Sequence, residues 1–192
     1  ILVERIEKVG LDCFFVLSSN QQFLFYNHLN RVPTFLDGKT IMAVSSNLIL
    51  NLMVFVCSDK RVFLTTIHSL LFQKYFMIKE NDIKWCQIFR QGIVVFASTD
   101  SIFSYDLNGQ LLATSGSPHS QNRIELLSQI TIKETEYLVV TFYTGGIFLK
   151  DPETLQNIYI IRSSNPILSF VTDYSSQFAI LDDNLKTTIM NY

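Results

Sequence analysis

The sequence predicts an all-β chain, a β-propeller of four-stranded antiparallel blades. The first observation behind this prediction is a hairpin pattern that occurs five times. In its clearest copy an apolar strand, Ile93 to Ala97, leads through a polar turn, Ser98 to Ser101, into a second strand, Ile102 to Asp106. The pattern recurs in residues 13–30, 53–69, 137–153 and 178–192. Such recurrence indicates a repeat architecture.

The second observation is the interval between copies. Aligning the residue that closes the second strand of each hairpin gives intervals of 39, 40, 45 and 40 residues. A period of about 40–45 residues is typical of propeller blades. The aligned positions are Asn27, Thr66, Asp106, Asp151 and Asn191.

The third observation is that the apolar runs "CFFVL", "MVFV", "IVVFA", "YLVV" and "FAIL" are continuous. A strand with one face in water alternates apolar and polar residues, whereas a continuous run needs cover on both faces. The inner strands of a blade have that cover because neighbouring blades sandwich them.

Further strands flank each hairpin and complete a four-stranded blade. The predicted leading strands are Leu2 to Ile6, Ile41 to Ser45, Trp85 to Phe89, Ile124 to Ile132 and Ile167 to Thr172. The predicted trailing strands are Val32 to Leu36, Leu71 to Phe76, Leu111 to Thr114 and Ile158 to Ile161.

The five repeats form one predicted propeller domain or propeller fragment. Their boundaries are roughly 1–37, 38–77, 82–115, 123–162 and 165–192, and the last repeat lacks a trailing strand. The longer interval reflects a polar loop between blades, Ser115 to Arg123. The chain has no initiator Met, so we expect a piece of a longer protein whose ring has seven or eight blades. A closed five-bladed ring is the alternative.

The phrase "FASTDSIFSYD" resembles the blade of WD-repeat propellers, with Tyr105-Asp106 in the Trp-Asp position. The other repeats depart from it, with Tyr26-Asn27, Thr65-Thr66, Lys150-Asp151 and Met190-Asn191 at that position. No Gly-His dipeptide precedes any blade. The family's structural His–Asp network is therefore not expected, and the blades should depend mainly on apolar packing.

A narrower resemblance rests on the order "FFVLSSNQQFLFYN", "RVPTFL" and "GIVVFASTDSIFSYDLNGQLLATS". It resembles the C-terminal propeller of BEACH-domain proteins of the neurobeachin and beige type, which are large scaffolds of vesicle and lysosome traffic. The resemblance implies a protein-binding scaffold, a cytoplasmic location peripheral to endomembranes, and membrane association only through the parent protein.

Composition narrows the classes of partner. The net charge of −2 gives no electrostatic case for binding nucleic acid or an anionic membrane. No apolar run approaches the 18 residues of a membrane span. The three cysteines, Cys13, Cys57 and Cys86, are widely spaced and do not form a disulfide framework. A reducing, cytosolic setting follows.

Candidates for catalysis, cofactor binding or metal binding each have a simpler structural interpretation. The histidines His28, His68 and His119 lack metal-ligand spacing. A strand cysteine such as Cys86 usually acts as a small hydrophobe. Gly145-Gly146 and Asp182-Asp183-Asn184 fit hairpin turns rather than a phosphate or calcium loop. We therefore predict no enzyme, cofactor or metal.

The alternative is a propeller enzyme of the hydrolase or lyase type with a site in the central channel. It would need acids converging from several leading strands, and these offer mainly Glu4, Glu7 and Glu125.

The predicted function is protein binding through one rim. Turns between the second and third strands of a blade share a rim with the loops that link blades, and loops on a rigid scaffold are where binding residues concentrate. The candidate partner-binding residues are Asp59, Lys60, Arg61, Asp100, His119, Tyr143 and Asp183.

Overall fold

The computed structural model describes residues 3–8, 13–18, 22–27, 30–32, 34–67, 72–116, 123–143, 145–162, 165, 167–172, 177–182 and 184–191. Strands grouped into five antiparallel sheets make up its regular structure. The chain divides into two compact units, Ile1–Arg90 and Gln91–Tyr192. His28, His68, His119 and Asp183 lie outside the described residues.

The first two sheets belong to the first unit and follow chain order, with each strand paired to the next. Sheet 1 contains β1 (Val3–Lys8), β2 (Cys13–Ser18), β3 (Phe23–Asn27) and β4 (Asn30–Val32). Sheet 2 contains β5 (Ile41–Asn47), β6 (Leu52–Cys57), β7 (Arg61–Thr66) and β8 (Phe72–Met77).

The remaining sheets keep the same meander, and the last has three strands. Sheet 3 contains β9 (Trp85–Ile88), β10 (Ile93–Ala97), β11 (Ser101–Asp106) and β12 (Leu111–Gly116). Sheet 4 contains β13 (Ile124–Ile132), β14 (Thr135–Phe142), β15 (Gly146–Lys150) and β16 (Asn157–Arg162). Sheet 5 contains β17 (Ile167–Thr172), β18 (Gln177–Asp182) and β19 (Thr187–Asn191).

The fold is a β-propeller, as the repeat predicts. Four of the five aligned residues end the third strand of their sheet: Asn27, Thr66, Asp106 and Asn191. The fifth, Asp151, directly follows β15, the third strand of sheet 4. Two of the continuous runs, "MVFV" in β6 and "IVVFA" in β10, are buried on both faces, since every residue of these strands is buried. The outer strands β8 and β12 are mostly exposed or half-buried. Burial therefore depends on the position of a strand within its sheet.

One predicted element is wrong. The trailing strand expected over Val32 to Leu36 is only the short β4, and residues 34–37 form a turn. In this turn the Leu36 amide donates to the Thr34 hydroxyl at 3.2 Å, and the Asp37 amide donates to the Thr34 carbonyl at 3.1 Å. Leu36 is nevertheless fully buried in the cluster shared by sheets 1 and 2. The Leu36 side chain packs in the core although its backbone lies in a turn. A pattern of apolar residues cannot distinguish such a turn residue from a strand residue.

Polar contacts join neighbouring sheets within each unit. In the first unit the Ser45 hydroxyl accepts from the Ile88 amide at 3.2 Å, and the Asn47 side chain donates to the Ile88 carbonyl at 3.3 Å. In the second unit the Ser104 hydroxyl donates to the Pro152 carbonyl at 2.6 Å. These side chains are buried, so satisfying their polar atoms avoids a desolvation penalty. The contacts therefore connect neighbouring sheets through the protein interior.

A tight turn follows β11, and its left-handed residue is a glycine. Gly109 has a φ of +84°, whereas Asn108 does not share that conformation. The Asp106 carboxylate accepts from the amides of Asn108 and Gln110, both at 2.8 Å. Asp182 accepts in the same way from Asn184 and Lys186 in sheet 5. An acidic residue that closes a strand therefore shapes the turn that follows it.

Candidate functional site

The candidate site is a rim formed by second-to-third-strand turns and by the segments that link consecutive sheets. In the first unit the Ser58 amide donates to the Thr40 carbonyl at 3.0 Å, and the Ile78 amide donates to the Lys60 carbonyl at 3.1 Å. The turn between β6 and β7 is thus bonded to the linking segments on both sides. The predicted association of these turns and segments is observed within this unit.

The second unit shows the same association around the start of β13. The Ile124 amide donates to the Thr99 carbonyl at 2.7 Å, and the Tyr143 amide donates to the Arg123 carbonyl at 2.8 Å. The β10–β11 turn and the β14–β15 turn therefore flank two consecutive residues, Arg123 and Ile124. This geometry brings the turns that carry Asp100 and Tyr143 to one short segment.

Asp59, Lys60 and Arg61 form the most charged turn of the rim. Arg61 Nε lies 3.2 Å from Asp59 Oδ2, and Asp59 Oδ1 accepts from the Arg61 amide at 3.2 Å. The two side chains are 47% and 44% exposed, so water screens the pair and its contribution to stability is small. The pair remains available to a partner that can exclude this water.

Lys60 has a strained backbone for a residue with a side chain, with a φ of +68°. Its Nζ donates to the Lys79 carbonyl at 3.1 Å, which holds the side chain against the segment that links sheets 2 and 3. The two rim cations therefore have different partners: Arg61 pairs within its own turn, and Lys60 reaches across to the next segment.

Asp100 and Tyr143 have different surroundings in the second unit. Asp100 Oδ1 accepts from the Ser98 hydroxyl at 2.8 Å, and the Ser98 hydroxyl also accepts from the Ser101 amide at 3.2 Å. The Asp100 carboxylate thus helps to shape its own turn. Tyr143 is 60% exposed, which makes it the prominent aromatic side chain of this part of the rim. His119 and Asp183 could not be placed, since they lie outside the described residues.

A pocket of about 310 Å³ opens on the rim of the first unit. Buried Val56, Ile78 and Ile83 contribute apolar surface, and Lys60, Glu80 and Asp82 contribute charge. Glu80 and Asp82 were not predicted as site residues; both lie in the segment "KENDIK" that links sheets 2 and 3. The sequence signal for this part of the pocket is a charged run between two strands. The sequence does not show that this run folds back onto the β6–β7 turn.

Cys57 also lines this pocket, and its environment opposes nucleophilic chemistry. Burial, followed by the negative charge of Asp59, raises the pKa of the Cys57 thiol to about 11, although Lys39 and Arg61 act in the opposite direction. The thiolate is the reactive form, so this thiol is a poor nucleophile at neutral pH. Cys57 and Cys86 are both buried free thiols.

The described ranges also bear on metal sites and on membrane-spanning helices. Within them, no group of three His, Cys, Asp or Glu residues could hold a metal ion. In the same part of the chain, no helix is long and apolar enough to cross a membrane. Of the acids named for the enzyme alternative, Glu125 Oε1 lies 3.1 Å from Arg123 Nε.

No family model and no curated protein matches this chain. Solved structures do match. They include the computationally designed Ika8 protein, with a TM-score of 0.69 and 13% identity over 99% of this chain and 58% of that chain. BBS1N in complex with ARL6DN, from a crystal soaked with lead, gives a TM-score of 0.71 and 13% identity over 98% and 60%.

A second crystal of BBS1N in complex with ARL6DN, soaked with mercury, gives a TM-score of 0.70 and 14% identity over 96% of this chain and 63% of that chain. This chain therefore spans less than two thirds of the length of the structures it matches. At this level of identity the likeness concerns the fold, and it agrees with the propeller deduced from the repeat.

Proposed function

We propose that this chain is a non-catalytic protein-interaction propeller that binds its partners through the rim. The observation that carries the proposal is the bonding of the charged and aromatic turns to the linking segments within each unit. A turn fixed in this way loses little further conformational entropy on binding, so more of the contact energy appears as affinity. The similar BBS1N chain was crystallised in complex with a protein, ARL6DN, which favours a protein partner here.

The finer proposal is that the chain belongs to a larger trafficking scaffold of the BEACH type, in the cytoplasm at the surface of endomembranes. It rests on the order of sequence motifs and on the WD-like Tyr105-Asp106 pair. Tyr105 is buried and packs on Phe96 with ring centroids 5.5 Å apart, as a residue in the Trp position should. Reading the coding sequence on both sides tests it: a BEACH domain upstream is expected, and its absence contradicts the assignment.

The same proposal places this chain in a ring of seven or eight blades. Two or more further repeats in the flanking coding sequence are expected. A stop codon and a start codon close to the two ends would instead favour a closed five-bladed ring.

The rim proposal is tested with a triple variant, Lys60→Ala, Arg61→Ala and Tyr143→Ala, in the full-length parent protein. Partners are identified by cross-linking and mass spectrometry, then purified, and their affinity is measured directly. We expect the triple variant to weaken binding at least about tenfold, because charged and aromatic rim residues act as anchors.

A matched control places equivalent changes at turns between first and second strands: Ile49→Ala, Arg90→Ala and Lys133→Ala. Lys60 and Lys133 both have positive φ, +68° and +45°, so alanine imposes a comparable backbone strain at both positions. The control should retain wild-type affinity. If the rim variant keeps every partner, or if both variants lose them equally, the rim is not the binding surface.

A further inference from the structure

The pocket beside the β6–β7 turn combines an apolar wall with a charged mouth. Val56, Ile78 and Ile83 are at most 4% exposed, so each presents only a small patch of apolar surface to the pocket, and the core holds that patch in place. The volume of about 310 Å³ lies at the lower end of the range for ligand pockets. A pocket of this size suits one long side chain better than an extended ligand.

The charges at the pocket are unequal. Two carboxylates, Glu80 and Asp82, line it together with one ammonium, Lys60. The Lys60 ammonium already donates to the Lys79 carbonyl at 3.1 Å, and the Glu80 carboxylate accepts from the Lys79 amide at 3.0 Å. Asp82 is exposed within the linking segment. The pocket lining therefore carries an excess of negative charge. This charge attracts an incoming cation, and the two carboxylates repel an incoming anion.

We infer that this pocket receives a basic side chain, an arginine, that projects from a protein partner; the inference rests on the proposed interaction function. The methylene stem of arginine can lie along Val56, Ile78 and Ile83, because long basic side chains bury their stems while the charged head stays near water. The guanidinium then reaches the carboxylates at the mouth. Its planar set of donors pairs better with carboxylates than a lysine ammonium does.

The direct probe is Nα-acetyl-arginine amide, titrated into the ¹⁵N-labelled chain while amide chemical shifts are followed. Shifts should be confined to the amides of residues 56–60 and 78–83, with a dissociation constant on the order of 1 mM, as expected for one side chain in a shallow pocket. Binding should weaken as salt is added, since the attraction is electrostatic and partly exposed. The corresponding lysine amide should bind more weakly.

The decisive variant is the pair Glu80→Gln and Asp82→Asn. Both substitutions keep the size of the side chain, and asparagine tolerates the positive φ of +53° at position 82. This pair should weaken the arginine probe at least about tenfold. The control pair Glu134→Gln and Glu153→Gln removes the same charge from exposed positions in the second unit and should leave binding unchanged.

Lys60→Gln distinguishes a cation pocket from an anion pocket. It should preserve or strengthen the binding of the arginine amide. Acetyl-glutamate amide and inorganic phosphate, titrated in parallel, should cause no saturable shifts at these residues. Saturation by either anion, no binding of the arginine amide, or binding that survives the Glu80 and Asp82 changes would each overturn the inference.

The two proposals fail in different ways. If the arginine amide does not bind while the rim variant still loses its partner, only the pocket assignment is wrong. If the arginine amide binds as expected while the rim variant keeps every partner, the rim function is wrong and the pocket is a cation site that does not serve the partners identified.

Discussion

Lys150 is a buried basic side chain in the second unit. It occupies the Trp position of the fourth repeat but is a lysine, 6% exposed, whose Nζ donates to the Leu155 carbonyl at 3.0 Å. Burial lowers its pKa from the ordinary value of 10.5. A charge is costly to bury, so the protonated form opposes folding at neutral pH.

The stability of the protein should therefore depend on Lys150 in alkaline solution. Between its folded pKa and 10.5, the unfolded chain binds more protons at this residue, so the unfolding free energy rises with pH across that interval. Each unit by which the pKa is lowered contributes about 1.4 kcal/mol. Urea unfolding at several pH values should show this rise in the wild type relative to Lys150→Met.

The experiment compares the pH dependence of the unfolding free energy in two proteins, because Cys57 also titrates in alkaline solution. Its folded pKa of about 11 lies above the ordinary 9.0, so its contribution to stability falls as pH rises between those values. Cys57 is present in both proteins, so its effect cancels. Equal pH dependence in the wild type and in Lys150→Met would show that burial does not perturb Lys150.

Individual site residues could be predicted only where the determinants are local. The β6–β7 turn with Asp59, Lys60 and Arg61 follows from its sequence. Glu80 and Asp82 could not be assigned to the same pocket, because their placement depends on the hydrogen bond from the Ile78 amide to the Lys60 carbonyl. A contact between residues so far apart in sequence leaves no local pattern.

The bounds of several strands were predictable from the sequence. Both ends of β10, β13 and β17 agree with those predicted, because Ile93, Ile124 and Ile167 are each the first apolar residue after a polar or turn-forming segment. The short β4 was mispredicted because the buried Leu36 extended an apolar pattern into a turn. The hydrogen bonds of Thr34 decide that boundary, and a hydrophobicity pattern does not contain them.

The outer strand β16 carries an exposed apolar run. Ile158, Tyr159 and Ile160 are 46%, 60% and 51% exposed, and they are consecutive, so both faces of this edge strand display apolar side chains. The outer strand β8 interrupts its exposed apolar residues with Gln73 and Lys74. An apolar edge without such an interruption invites pairing with another strand.

A charge on β16 should therefore reduce self-association. Ile160→Lys should lower concentration-dependent light scattering several-fold while changing the unfolding free energy by no more than about 0.5 kcal/mol, because the position is half exposed. Ile160→Val keeps the edge apolar and should scatter like the wild type. If Ile160→Lys scatters as strongly as Ile160→Val, strand pairing at β16 is not the route of association.

At the scale of the whole molecule, the repeat predicted the architecture because each blade is a local meander. Every pairing in sheets 1, 2 and 4 joins strands that are consecutive in sequence, so the unit is complete within about 40 residues. The number of blades in the ring has no such local determinant. It depends on the angle between neighbouring blades and on how many repeats the complete protein contains.

The architecture predicts a hierarchy of local stability that follows strand position rather than chain position. The second strands β6, β10 and β14 are paired on both sides and largely buried, whereas β8, β12 and β16 are paired on one side and largely exposed. In native-state hydrogen exchange, amides of the second strands should exchange at least about a hundredfold more slowly than those of the outer strands.

The control for this experiment is the same set of peptides in the urea-unfolded chain, which gives the intrinsic exchange rates. After correction, slow and fast exchange should alternate along the sequence with the period of the repeat. Uniform protection across Ile1–Arg90, or across Gln91–Tyr192, would mean that each unit opens only as a whole. Alternation would instead show that the outer strands detach first while the buried second strands stay paired. The second strands stay because removing them, unlike removing the outer strands, exposes an apolar layer to water.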